Sequence, residues 1–186
     1  GNVYKTVKIG NQIWMAENLK TTRYNDATPI LFGINDNFEW SKIKNGAYCY
    51  YGYFDTENGF LYNWYSVASN KLAPKGWRIP TFNDWTILMN YLGGKEYAGS
   101  KMKSVTAWYG NGFSPNGTNE SGFSGKPSGV RKADGKFCCI YSVSWWSFNE
   151  SDLCNALSIS LVYEDGYLDI APLNKNTGIS IRCIKD

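Results

Sequence analysis

Any chemistry in this chain proceeds without histidine, because its 186 residues contain none. The commonest general base, metal ligand and physiological pH switch is therefore missing. Carboxylates, thiols and aromatic rings remain. Glu120, Asp134, Glu150 and Asp152 fall in or near one stretch of low regularity, where paired carboxylates could exchange protons. Acidic residues at turns more often cap or face water. Asn149, Glu150 and Asp152, like Glu164 and Asp165, offer the hard oxygens that calcium takes, but without EF-hand spacing. A structural calcium ion is the one cofactor these residues could hold. Cys49, Cys138, Cys139, Cys154 and Cys183 show no CxxC pair and no zinc spacing. On a strand, Cys138 and Cys139 would point to opposite sides and would not easily bond each other. Small buried hydrophobes are the plainer reading of Cys138, Cys139 and Cys154, and the odd count leaves at least one thiol free or intermolecular.

The rings are the larger signal. Aromatic residues make up 17% of the chain, with 14 Tyr and 8 Trp, more than an ordinary core requires. Trp108 and Tyr109, next to Gly110-Asn111-Gly112, and Trp145 with Trp146 lie in or beside the irregular stretch. Rings with polar neighbours make contact surfaces for small molecules or proteins. Arg131 adds a fixed donor fork and Glu150 an acceptor. We therefore expect a ligand surface built from Trp108, Tyr109, Arg131, Trp145, Trp146 and Glu150 within residues 104–150. The competing reading is that the same rings pin down loops with little regular structure.

The elements that would carry such a surface are partly readable. Gly76-Trp77-Arg78-Ile79-Pro80-Thr81 launches a helix over 81–92, with Thr81 as N-cap and Asp84 completing a near capping box. Trp85, Leu88, Met89 and Leu92 give it one apolar face, and Gly93-Gly94 stops it. Residues 3–19 read as a hairpin turning at Gly10-Asn11. Residues 20–46 read as a surface connection, 47–51 as a short strand and 60–69 as a short helix. Residues 94–135 are rich in Gly and Ser with weak periodicity, a functional loop region if the assignment holds. Strands return at 137–142, 144–148, 155–163, 166–171 and 178–184, with turns at Asp165-Gly166 and Lys175–Gly178. One α+β domain spanning 1–186 follows, mostly of antiparallel strands.

Bulk properties exclude several classes. The net charge of +3, with Lys and Arg scattered, is too small to imply nucleic acid. No apolar run approaches the ~18 residues that span a bilayer, so no transmembrane segment is expected. The first residues do not read as a signal peptide.

Separated stretches resemble one family in order. Residues 9–22 (Ile9-Gly10-Asn11-Gln12-Ile13-Trp14-Met15-Ala16-Glu17-Asn18 and on to Thr22) are similar to the opening of the Fibrobacter succinogenes major paralogous domain. Ala47-Tyr48-Cys49, Leu61–Tyr65, Gly76–Thr81, Thr118–Phe123 and Trp145-Trp146-Ser147 match it in turn. The closing Gly178–Asp186 stretch resembles its last strand. The resemblance implies a secreted or cell-surface domain of Bacteroidetes-type bacteria, often on lipoproteins, exported with a targeting segment absent from this sequence.

It also implies a C-type-lectin-like fold related to formylglycine-generating enzymes. Such a fold has adjoining terminal strands, two flanking helices and a long irregular loop region before the last strands. The copper-holding cysteine pair of those enzymes has no counterpart, since Cys154 lacks a near partner. The calcium-dependent lectin motifs Glu-Pro-Asn and Gln-Pro-Asp are absent, and Ala73 stands where some members carry Cys. Cys49 and Cys183 both match family positions on expected strands, and export would permit a disulfide between them. The leading expectation is a non-enzymatic module binding a protein or glycan at the cell surface, as in adhesion. A structural or assembly domain of a larger surface lipoprotein comes second and an enzyme third.

Overall fold

The computed structural model describes residues 2–33, 36–51, 58–108 and 117–186. In chain order its elements are β1 (Thr6–Ile9), β2 (Gln12–Met15), β3 (Leu31–Phe32), α1 (Asn37–Lys42), β4 (Ala47–Cys49), β5 (Leu61–Tyr62), α2 (Trp64–Ala68) and β6 (Trp77–Arg78). These are followed by α3 (Phe82–Tyr91), α4 (Lys95–Met102), β7 (Val130–Arg131), β8 (Phe137–Cys138), β9 (Ser142–Glu150), β10 (Asn155–Val162), β11 (Asp169–Asn174) and β12 (Ile184–Lys185). The architecture is α+β, with small sheets that are antiparallel except where β3 runs parallel to β4. Among the described residues no helix is long and apolar enough to cross a membrane.

The α3 helix forms as its sequence dictates. Thr81 Oγ1 accepts from the Asp84 amide, and the Asp84 carboxylate accepts from the Thr81 amide at 2.7 Å, a complete capping box. Arg78 on β6 grips the same carboxylate through two bonds of 2.6 and 2.8 Å, fixing the strand-to-helix corner. Burial alone would raise the Asp84 pKa, but the Arg78 fork and the Thr81 donors outweigh it and hold it below the ordinary range. Asn149 on β9 adds a bond to the Phe82 amide at 2.7 Å. Gly93 and Gly94, at φ 103° and 94°, end the helix where a side chain would be strained.

Two helices were expected to flank the sheets, and the described residues hold four. The α4 helix occupies the start of the stretch expected to be irregular. It buries only Ala98, Gly99 and Met102, too few apolar positions to show a period. Gly99 is required there, because a Cβ would lie 2.3 Å from the Gly166 carbonyl oxygen. The α1 helix, inside the expected surface connection, is capped by Asp36 and anchored by one buried residue, Trp40.

Two cores lie on either side of β9. Trp145 belongs to one, with Trp14, Trp85, Leu88, Ile159 and Leu161. Trp146 belongs to the other, with Tyr62, Trp64, Ile179 and Ile181. Adjacent strand residues point to opposite faces, so a tryptophan pair on one strand fills both. Residues 178–184 then join separate sheets. Gly178 pairs with Arg131, Ile179 with Tyr62 and Ser180 with Trp145, while Ile184 pairs with Trp14 and Arg78. The amino- and carboxy-terminal strands thus adjoin, as the resemblance implied.

Trp85 is fully buried on α3, with its ring centroid 4.8 Å from that of Trp14 and 5.8 Å from that of Trp145. Truncation by Trp85→Ala is expected to cost roughly 3–5 kcal/mol of folding stability. Urea unfolding followed by circular dichroism checks it.

Candidate functional site

Arg182 stands alone as a charge in the apolar run Ile179–Ile184, and the fold buries it to 1% exposure. Among the described residues no carboxylate forms an ion pair with it, and Glu17 acts on its charge only from a distance. Its Nε and Nη2 donate to Asn18 Oδ1 at 3.0 and 2.7 Å. Its Nη1 donates to the Met15 carbonyl at 3.2 Å and the Phe123 carbonyl at 2.6 Å. The guanidinium lies 4.4 Å over the Phe123 ring and 5.6 Å from the Trp145 ring. Burial pulls its pKa below the ordinary arginine range, but the four acceptor contacts and the ring faces favour the charge.

Asn18 is the hub of this arrangement. Its Oδ1 also accepts from Trp145 Nε1 at 2.8 Å, and its Nδ2 donates to the Asn58 carbonyl at 2.8 Å and Ser180 Oγ at 3.3 Å. The stretches 9–22, 118–123 and 178–186, with Trp145, therefore meet at one guanidinium. Asn119 and Ser124, both at positive φ, hold the Phe123 loop through bonds of 2.8 and 3.0 Å.

Above Arg182 lies a cavity of about 200 Å³. Lys5, Glu17 and Lys126 supply its charged lining, and Asn18, Asn58 and Ser124 its neutral polar groups. Glu17 Oε2 accepts from the Lys5 amide at 2.8 Å. Three cations against one carboxylate make the cavity electropositive, and its size suits one sugar ring or one acidic side chain. Sequence reasoning did not single out these residues. The signal available was the lone arginine in an apolar strand.

The residues expected to form a ligand surface lie elsewhere, and most are core. Trp108 and Arg131 are 1% exposed, and Trp145 and Trp146 are 0% exposed, so they offer no face to a ligand in this structure. The physical reason is that each indole finds an interior acceptor. Trp108 Nε1 donates to the Gly125 carbonyl at 2.9 Å and Trp146 Nε1 to the Tyr62 carbonyl at 2.8 Å. Arg131 sits 4.3 Å over Trp40 and 5.1 Å from Phe137, donating to the Gly135 carbonyl at 2.9 Å. Tyr109 lies outside the described residues. Glu150 is exposed and pairs with Lys175 at 3.2 Å.

The oxygens considered for calcium have other partners. Asn149 Oδ1 accepts from the Phe82 amide, and Asp152 Oδ1 from the amides of Cys154 and Asn155 in the β9–β10 turn. Among the described residues no group of three His, Cys, Asp or Glu comes together to hold a metal.

The expected Cys49–Cys183 disulfide is corrected, since both are buried free thiols. They sit in different clusters, Cys49 beside Trp40 and Leu61, Cys183 beside Ile179 and Ile181. The expectation that Cys138 and Cys139 diverge is corrected too, for their sulfurs stand 2.6 Å apart.

The family model described as the Fibrobacter succinogenes major domain matches residues 7–185. No curated protein and no solved structure matches the chain.

Removing Asn18 by Asn18→Ala strips acceptors from a buried cation and an indole, and is expected to cost about 3–5 kcal/mol. In the double-mutant cycle with Arg182→Met, the combined loss should fall short of the sum by at least about 1 kcal/mol. Urea unfolding of all four proteins measures this coupling. Burial also pushes the Cys49 thiol up to about 11 and the Cys183 thiol to about 12. Above pH 9.0, the unperturbed thiol value, the unfolded chain sheds these protons while the folded chain keeps them. The Cys49 contribution to stability is therefore lost as pH rises through 9 to about 11, and the Cys183 contribution through 9 to about 12. A smaller alkaline decline in Cys183→Ala than in the parent, by thermal melts across that range, is the expected result.

Proposed function

Because the chain belongs to the Fibrobacter succinogenes major domain family, we propose that it is a non-enzymatic binding module of an exported, cell-surface protein. Its ligand is an acidic glycan, taken in the cavity over Arg182. The observation that carries this reading is the electropositive cavity itself, which sets Lys5, Lys126 and the Arg182 guanidinium against the carboxylate of Glu17. A sugar carboxylate would add counter-charge near the surface, and Asn58 and Ser124 lie where ring hydroxyls need partners. The chain's lack of histidine weighs against general acid–base catalysis. Adjoining terminal strands and an α+β layout support a C-type-lectin-like scaffold, on which loops and strand ends carry recognition.

An assembly role is the second reading. It is favoured by Leu31 and Phe32, which are exposed on β3 at the edge of its sheet.

An array of uronate-bearing and neutral oligosaccharides, followed by calorimetric titration with an oligogalacturonide, tests the leading reading. Wild type should retain acidic glycans and release neutral ones. Lys5→Ala with Lys126→Ala should weaken binding at least about tenfold, a change of about 1.4 kcal/mol, with an unmoved melting temperature. Equal capture of neutral glycans, or undiminished binding by the double variant, overturns it.

A further inference from the structure

Cys138 and Cys139 lie outside the Arg182 cavity and play no part in it. In a continuous strand their side chains would alternate between faces and the sulfurs would part. β8 ends at Cys138, however, and Cys139 takes φ 63°, in the left-handed region. That turn carries both side chains to one side and sets the sulfurs 2.6 Å apart. The conformation is unfavourable for a residue with a Cβ, and something must hold it. Ser142 does so, donating from its amide at 3.0 Å and its hydroxyl at 2.9 Å to the Cys139 carbonyl. Cys139 is exposed and Cys138 half-buried, so one thiol meets reagents from solution and its neighbour lies directly behind it.

We propose that Cys138 and Cys139 form a thiol–disulfide exchange site, at which a low-molecular-weight disulfide oxidises the pair to a ring disulfide between neighbouring residues. The Cys139 thiolate attacks one sulfur of the external disulfide, forming a mixed disulfide and expelling one small thiolate. The Cys138 thiolate then attacks the Cys139 sulfur, closes the ring and expels the second. Two protein thiols are oxidised, one external disulfide is reduced, and the two protons pass to the released thiolates. Burial, then the contact with Cys139, pushes the Cys138 thiol up to about 11. The raised Cys138 thiol leaves the first attack to exposed Cys139, with Cys138 as the resolving thiol. Ring closure fixes one end of an apolar trough of about 390 Å³, lined by Cys139, Ile140, Tyr141 and Tyr163.

The test uses the full chain carrying Cys154→Ser, because exposed Cys154 shares the tryptic peptide 137–175 with the pair. The protein is treated with oxidised glutathione, alkylated and mapped without reduction. That peptide should lose a pair of hydrogens and carry neither glutathione nor an alkyl group. Adding Cys138→Ser should instead trap glutathione on Cys139. Reduced protein should bind one equivalent of phenylarsine oxide, which bridges two adjacent thiols, and lose that binding in Cys139→Ser. A lasting glutathione adduct with Cys138 present, two alkylated thiols after oxidation, or thiols that ignore the arsenical overturns the proposal.

Discussion

A buried positive charge held by neutral acceptors is the constraint around which this domain is arranged. Taking a guanidinium out of water costs several kcal/mol unless its hydrogens and charge are met by the interior. For Arg182 they are met by one asparagine, two backbone carbonyls and two ring faces. The acceptors and rings come from separate parts of the chain, so residues 15–18, 123, 145 and 182 have to converge before the guanidinium is satisfied. Backbone carbonyls and amides do not depend on ionisation, which leaves this solvation intact across the pH range where carboxylates titrate.

Ring faces carry other interior cations as well, though Lys175 also has a carboxylate partner in Glu150. Arg131 lies between Trp40 and Phe137, Lys103 over Trp108 at 4.6 Å and Lys175 over Trp64 at 4.9 Å. Lys103 gives its ammonium to the Tyr163 and Asp165 carbonyls, and Lys175 gives its own to that of Leu153. The aromatic surplus thus has an internal use, as the faces on which interior cations rest. Among the described residues Trp85 is the exception in the buried indole set, its Nε1 having no acceptor. Its place is set by a tilted ring contact with Trp14 and stacking against Trp145.

Where local rules decide conformation, the sequence was legible. The Thr81–Asp84 box, the glycine stop at 93–94, the Gly10-Asn11 hairpin and the long strands of the β9–β11 meander all stand near where their residues predict them. Where tertiary contact decides, it was not. Helix α4 has no apolar stripe because it meets the 165–168 turn through Gly99 and a backbone bond from Leu168 to Lys95. Trp145 and Trp146 were readable as contact residues or as pins, and only their partners across the fold make them pins. The cavity eluded sequence reasoning because Lys5, Glu17, Asn58 and Lys126 share no motif and meet only after folding. Cys139 eluded it because strand geometry was assumed one residue too far.

Residues 178–184 contact β7, β5, β9, β2 and β6, and Leu19 and Met15 donate their amides to the carbonyls of Ile181 and Cys183. These partners lie far upstream, so the loops they close are among the longest the chain can form. While the ribosome still holds that segment, the helices and hairpins before it can form but the sheets cannot be joined, and both cores stay open along one side. Completion of the fold therefore waits until residues 178–184 have been released, and that segment makes it in one step.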